Sequence, residues 1–281
     1  MFLLLVDPVT GETSPAALDS PLLAADDLAA IRGDGVFEAA LLRDGEIRAL
    51  EMHLARFANS ARLLDLPGTS REVWEPALLQ AATEAPDPGG DRVIRWFLSR
   101  GREGTGLLHG WIMVGMVPQS TLEMRRNGIT AVTLTRGVPA GLAHEAPWLL
   151  IGVKSLSYAG ALAATRFAKG RGADEAIFLT TDGFVLEAPL ANVVLAQGDT
   201  LVTPDPALGL LHGTTQRFLF DRAGAAGWEC RYARVRREEL FSADGVWLVS
   251  STRMAVPVHT INGTSLPTRP GIHRVMDELI N

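Results

Sequence analysis

The apolar residues of this 281-residue chain come in strand-length runs that stop at explicit turns, and no run approaches the ~20 residues a bilayer-spanning helix needs. Val36-Phe37-Glu38-Ala39-Ala40-Leu41-Leu42 is followed by Asp44-Gly45 and then Glu46-Ile47-Arg48-Ala49, a hairpin pattern, since Asp-Gly tolerates the positive φ of a tight turn. Thr181-Asp182-Gly183, Gln197-Gly198-Asp199 and Asn262-Gly263 punctuate the second half in the same way. Strands are expected at 93–99, 111–117, 129–135, 176–180, 184–187, 192–196, 245–250 and 256–260. Helical periodicity appears at 51–65, where Leu54, Phe57, Ala58, Ala61 and Leu64 share a face, and at 157–169 and 213–226. Thr69 with Glu72 predicts a capping box opening a helix over 70–82. This mixture predicts an α+β protein of two domains, 1–117 and 128–281, with an interdomain linker over 118–127 around Pro118-Gln119-Ser120-Thr121.

Composition narrows the classes of function. With 47% hydrophobic and 21% charged residues, the chain has the make-up of a soluble globular protein with a sizeable core. A net charge of −6 argues against a nucleic-acid binder, and Met124-Arg125-Arg126 and Arg234-Val235-Arg236-Arg237-Glu238-Glu239 read as solvated faces. Cys230 is the only cysteine, which excludes an internal disulfide and fits a reducing, cytoplasmic setting. Residues 1–6 read as a strand rather than a leader, for want of a basic start. The six histidines show no metal-ligand spacing, so no metal is expected.

Chemistry enters through Lys154. The chain has two lysines against twenty-four arginines, and Lys154 lies in the apolar stretch Trp148-Leu149-Leu150-Ile151-Gly152-Val153-Lys154-Ser155-Leu156. A desolvated lysine can lose its proton and form a Schiff base with a carbonyl, which guanidinium cannot do. The alternative is an ordinary surface charge. A Schiff-base lysine often serves pyridoxal phosphate, which also needs an anion hole and an acid for its ring nitrogen. Glu187 ends an apolar run and could be that acid, or a solvated strand-end carboxylate. Gly209-Leu210-Leu211-His212-Gly213-Thr214-Thr215 precedes a helix, where backbone N–H groups suit a dianion, although Thr214 or Thr215 could merely cap that helix. Ser250-Ser251-Thr252 could add hydroxyls and Arg56 a charge, or Arg56 could be a surface residue.

In their order, these segments resemble the fold-type IV (class IV) family of pyridoxal-phosphate enzymes, which includes D-amino-acid and branched-chain aminotransferases and aminodeoxychorismate lyases. Arg32-Gly33-Asp34-Gly35-Val36-Phe37-Glu38 is similar to the family's first hairpin, and His53-Leu54-Ala55-Arg56 to the place of its phosphate-binding arginine. Lys154-Ser155-Leu156-Ser157-Tyr158 resembles the Schiff-base segment. Gly172-Ala173-Asp174-Glu175-Ala176-Ile177 through Glu187-Ala188-Pro189-Leu190-Ala191-Asn192 resembles the family's strongest signature. His212-Gly213-Thr214-Thr215 and Ser250-Ser251-Thr252 match its remaining phosphate turns. The resemblance implies a small N-terminal α/β domain, a larger C-terminal mixed α/β domain, pyridoxal phosphate in the cleft, and a homodimer. It assigns Lys154 as the catalytic residue, with Arg56, Lys154, Glu187, Thr214, Thr215, Ser251 and Thr252 binding the cofactor.

Within the family, Ser99-Arg100-Gly101-Arg102 lacks the histidine of the D-amino-acid carboxylate trap, and Val93-Ile94-Arg95 keeps only half of the branched-chain pattern. Lys154-Ser155-Leu156-Ser157-Tyr158-Ala159 and Leu211-His212-Gly213-Thr214-Thr215-Gln216 most resemble actinobacterial aminodeoxychorismate lyases, although enteric lyases carry Asn where this chain has Ser157. The expected reaction is cleavage of 4-amino-4-deoxychorismate to 4-aminobenzoate and pyruvate on the route to folate, with amino-acid transamination, branched-chain or D, as the alternative. A small-molecule amine is the expected substrate, and Arg95, Arg100 and Tyr158 are its candidate binders.

Overall fold

Alternation in the hairpin segment sets up the first half of the fold. In the computed structural model, which describes residues 1–281, the predicted hairpin is β3 (Gly35–Arg43) and β4 (Glu46–Ile47), preceded by β1 (Phe2–Val6), β2 (Thr13–Ala16) and the short helix α1 (Leu28–Arg32). Asp44 and Gly45 take φ of 52° and 80° at the turn, the left-handed pair that a two-residue hairpin requires. Helices α2 (Leu50–Leu63) and α3 (Arg71–Glu84) follow, then β5 (Arg92–Ser99) and β6 (His109–Met116). The six strands order as β2-β1-β6-β5-β3-β4, all neighbours antiparallel. One face of this sheet, with Leu4, Val36, Ala40, Leu42, Ile94 and Trp96, closes a core with Phe57 of α2 and Trp74 and Leu78 of α3. The N-cap of α3 is Ser70 rather than Thr69, and no side-chain hydrogen bond caps it: the Ser70 hydroxyl donates to the Glu72 carboxylate instead of accepting from the backbone.

The second half begins with α4 (Gln119–Asn127), in the segment expected to be a linker. None of its residues is buried and it carries no apolar periodicity, so its sequence gives no helix signal. Then come β7 (Ile129–Thr135), α5 (Leu142–Glu145), α6 (Ala159–Lys169), β8 (Glu175–Leu179), β9 (Glu187–Ala188), β10 (Ala191–Gln197) and β11 (Thr200–Pro204). They are followed by α7 (Thr214–Ala225), β12 (Glu229–Ala233), α8 (Glu239–Ser242), β13 (Gly245–Ser250), β14 (Met254–Ile261), β15 (Thr264–Ser265) and α9 (Ile272–Ile280). The main sheet runs β12-β11-β10-β13-β14-β7-β8, with β9 on β10 and β15 on β14, and is mixed: β11 with β12, β14 with β7 and β7 with β8 are parallel. Ile177, Val193, Leu195, Val246, Leu248 and Val256 form its core. The strand expected over 184–187 is reduced to β9, because Phe184 and Val185 make only isolated bridges to Arg236 and Leu179.

The architecture is α+β in two compact units. The first is residues 1–118 together with 153–158, and the second is 119–152 together with 159–281. The short segment Val153–Tyr158, which carries Lys154, thus belongs with the N-terminal sheet although the chain around it belongs to the second unit. No helix is long and apolar enough to cross a membrane.

Candidate functional site

In the first unit, the half of β3 that β4 leaves uncovered is occupied by the returning segment. Phe37 N–H donates to the Lys154 carbonyl at 3.1 Å, and Leu156 N–H to the Gly35 carbonyl at 2.9 Å, so residues 154–156 lie along β3 like a short extra strand. Gly35 is required there: a Cβ would fall 2.7 Å from Leu156 Cδ1 and 2.5 Å from the Leu98 carbonyl oxygen. The Lys154 N–H also donates to the buried Ser60 hydroxyl of α2 at 3.3 Å. These contacts leave the Lys154 side chain half-buried, with Nζ 4.3 Å from the Phe37 ring centroid and 3.4 Å from the Tyr158 hydroxyl. Tyr158 meets Phe37 edge-on with centroids 5.0 Å apart, so two aromatic faces flank the amine. The expected apolar surroundings come from these rings across the sheet, since Trp148 and Leu149 in the flanking run are exposed.

The same strand carries a carboxylate on its other face. Glu38 is fully buried and accepts from Arg56 Nε at 2.6 Å and Arg56 Nη2 at 2.8 Å, while His53 Nδ1 lies 2.7 Å from Oε2. His53 and Arg56 stand one turn apart on α2, which brings both to one acid. Burial by itself would raise the Glu38 carboxyl, but the Arg56 charge and hydrogen bonds, with His53, outweigh it and hold Glu38 well below the usual carboxylate range. Burial, with the nearby Arg56 and Lys154 charges, pushes His53 below its ordinary value against the pull of Glu38.

Arg95 and Arg100 separate in the structure. Arg95, opposite Ala39 in the sheet and two residues from Phe97, is half-buried, has no hydrogen-bonded or ion-paired partner, and is pushed below its ordinary pKa by burial. Phe97 stacks on Trp111 at 4.9 Å and on Phe37 at 6.0 Å, so the face that holds Lys154 also carries an aromatic row. Arg100, expected at the substrate, donates to Asp34 at 2.7 Å and to the Leu64 and Asp65 carbonyls at 2.6 and 3.0 Å, closing the C-terminal end of α2. Arg102 pairs with Asp26 at the surface.

The second unit gathers the other predicted residues. Glu187 on β9 accepts from the Leu211 N–H through Oε2 and from Arg136 Nη1 through Oε1, both at 3.1 Å. Asn192, opposite Glu187 on β10, donates to the Leu211 carbonyl at 2.9 Å. Acid and turn are therefore built as one piece. Gly213 precedes α7, and a Cβ there would lie 2.1 Å from Asn192 Oδ1. The N-cap of α7 is Gly213, which has no side chain to cap with, and Thr214 and Thr215 are buried in the first turn. The Thr215 hydroxyl lies 3.2 Å from that of Ser251, which joins the second predicted turn to the first. The Thr252 carbonyl is gripped by Arg125 through Nε at 3.0 Å and Nη2 at 2.6 Å, so Arg125, expected on a solvated face, holds that turn. Glu38, Arg125 and Arg136 were not singled out by the sequence. Only Glu38 left a signal, as a charge in register with the apolar face of its strand.

Comparison with known proteins adds the following. The family model for class IV amino-transferases matches residues 35–261. A bifunctional aminodeoxychorismate lyase / D-amino acid transaminase of Mycobacterium tuberculosis is 44% identical over 270 residues, covering 93% of each chain. Among solved structures, a hypothetical aminotransferase from Mycobacterium tuberculosis in its PLP-bound form superposes with a TM-score of 0.95 at 41% identity, over 100% of this chain and 97% of that one. A fold IV transaminase from Curtobacterium pusillum gives 0.94 at 37% identity, over 99% and 96%.

Proposed function

This chain belongs to the class IV aminotransferase family, and from that premise we propose that it cleaves 4-amino-4-deoxychorismate to 4-aminobenzoate and pyruvate, with D-amino-acid transamination as the second reading. Its cofactor is pyridoxal phosphate. The observation that carries the lyase reading is the 44% identity, along 93% of both chains, with a relative that bears both activities by name. The same relative is what favours the second reading over branched-chain transamination.

The residues fit the cofactor on three counts. The start of α7, with a glycine at its N-cap that its neighbour Asn192 would not let be anything larger, suits a phosphate dianion beside the Thr214, Thr215, Ser251 and Thr252 turns. A carboxylate at Glu187 suits a protonated ring nitrogen, and a half-buried amine at Lys154 suits an aldehyde. Arg56, oriented by Glu38, is assigned to the phosphate as well.

When bound, the cofactor supplies an electron sink that acidifies the C–H bond beside the substrate's amino group. Lys154 would hold the cofactor through its aldehyde. Its Nζ is the group that would take the proton from the amine-bearing carbon and return one where the product needs it. For the lyase reaction, the proton goes to the departing enolpyruvyl group as the ring becomes aromatic. Phe37 and Tyr158 keep water from the amine, and the Tyr158 hydroxyl, 3.4 Å from Nζ, orients it. Glu187 would pair with the ring nitrogen and favour its protonated form. Arg95, a half-buried cation beside an aromatic row, is assigned to a substrate carboxylate.

The reading includes a homodimer in the cytoplasm, supported by exposed Trp148, Leu149, Leu162 and Phe167 in the second unit and by the lone thiol. Incubation with aminodeoxychorismate, and separately with D-amino acids plus 2-oxoglutarate, tests the reaction. Release of 4-aminobenzoate is expected, and glutamate formation without it overturns the lyase reading. Borohydride reduction of the holoenzyme should fix the label on Lys154. Label on Lys169, or retention of it in K154R, refutes the lysine assignment.

A further inference from the structure

Arg136 has no part in the chemistry above, yet its guanidinium joins two of the site's components. It follows the last residue of β7, and its backbone N–H donates to the Leu179 carbonyl, which fixes where the side chain starts. From there Nη1 reaches Glu187 Oε1 at 3.1 Å and the Gly209 carbonyl at 3.1 Å, and the guanidinium carbon lies 6.0 Å from the Phe178 ring centroid. The other Glu187 oxygen accepts from the Leu211 N–H. Each carboxylate oxygen thus has a donor of its own, one from a strand end and one from the turn that precedes α7.

We propose that Arg136 is a positioning residue for Glu187: it fixes the carboxylate's orientation towards the cofactor's ring nitrogen and locks Glu187 to the turn at Gly209. Donors on both oxygens, Arg136 on Oε1 and Leu211 on Oε2, restrict the carboxylate's rotation from two sides. A guanidinium suits the task because its N–H groups lie in a rigid plane, so a contact with one acceptor also directs the contact with the other. The positive charge favours the ionised carboxylate, the form that pairs with a protonated ring. Since Arg136 acts on the ring nitrogen through Glu187, most of the effect of removing it should vanish once Glu187 loses its carboxylate, leaving only the loss of its bond to the Gly209 carbonyl.

This role presupposes the pairing of Glu187 with the ring nitrogen proposed above, and a double-mutant cycle separates the two. Wild type, R136M, E187Q and R136M/E187Q are stripped of cofactor, checked by circular dichroism and melting, and titrated with pyridoxal phosphate by absorbance. R136M is expected to weaken binding at least fivefold in the Glu187 background and less than twofold in E187Q, with the absorbance maximum of the bound cofactor shifted only in the first. Equal losses in both backgrounds, or none in either, overturn the role of Arg136. E187Q binding with wild-type affinity and spectrum overturns the Glu187 assignment on which it rests. R136Q, which keeps an N–H donor and loses the charge, replaces R136M in the cycle if that variant melts more than about 10 °C low.

Discussion

Glu38 shows how one buried carboxylate couples the stability of the first unit to the chemistry beside it. It lies between Arg56 and His53 with no exposure, so removing its charge strands a cation in the core. Loss of one member of a buried pair costs about 3–5 kcal/mol, which is the expected loss in E38Q, read as a fall in urea midpoint. The dependence on pH identifies each group. Glu38 is depressed from 4.5 in the fold, so its contribution is complete above that pH and drains away as pH falls towards its folded value. His53 is also depressed, from 6.5, and it opposes folding when the unfolded chain takes up a proton that the buried ring refuses. Stability should therefore fall in two stages on acidification, first below about 6.5 and again below about 4.5. E38Q should shrink the lower stage, which Asp27 and other depressed carboxylates share, and H53Q should remove the upper. A single stage unaffected by either variant would show that these groups do not govern the acid limb. In the sequence, Glu38 and His53 are visible as parts of motifs, but their being partners is not, because the hydrogen bond closes between a strand and a helix 15 residues apart.

The turn at 209–213 and α7 were the most legible part of the candidate site, because a glycine-rich segment before an amphipathic helix is a local signal. What the sequence could not show was that Asn192 and Glu187 brace the turn, since those bonds run from β10 and β9 to Leu211. Arg125 and Arg136 were illegible for the same reason: an arginine's choice of acceptor is made by the fold, and its residue type gives no hint of it. The edge strand β12 and helix α4 left little periodicity, with three of five β12 residues exposed and no buried residue in α4. Gly213 tests the bracing directly. Its φ of −71° is one that alanine adopts easily, so G213A brings no backbone strain, only a Cβ 2.1 Å from Asn192 Oδ1. Asn192 must then leave the Leu211 carbonyl or the turn must shift. Overpacking of this kind costs about 1–3 kcal/mol in stability. Affinity for pyridoxal phosphate, measured by absorbance titration, should fall more than tenfold. An affinity within twofold of wild type would mean that the turn does not need its present shape.

The break between the two units is not where the chain would be cut by eye. The first unit runs to position 118 and is incomplete without residues 153–158. Those residues supply the edge beside Gly35 and Phe37, so a fragment ending at 118 exposes the Phe37 N–H and the Gly35 carbonyl that the full chain pairs. Two backbone hydrogen bonds at roughly 1 kcal/mol each, with the packing of Leu156 on Gly35, put the deficit on the order of 2–3 kcal/mol. An unpaired edge is also a template for another copy. Residues 1–118 alone should therefore unfold at lower urea and self-associate in sedimentation, while the same fragment extended by a flexible Gly/Ser linker and residues 153–158 should regain the midpoint and stay monomeric. Equal midpoints for the two fragments would mean that the returning segment rides on the sheet without supporting it. The same pairing fixes Lys154, because it accepts through its carbonyl from Phe37 and so inherits its place from the strand rather than from the apolar residues on either side of it. A Lys154 amine in the extended fragment should accordingly show its aromatic ring-current shift from Phe37 by NMR. Its absence would place the origin of that contact in the second unit instead.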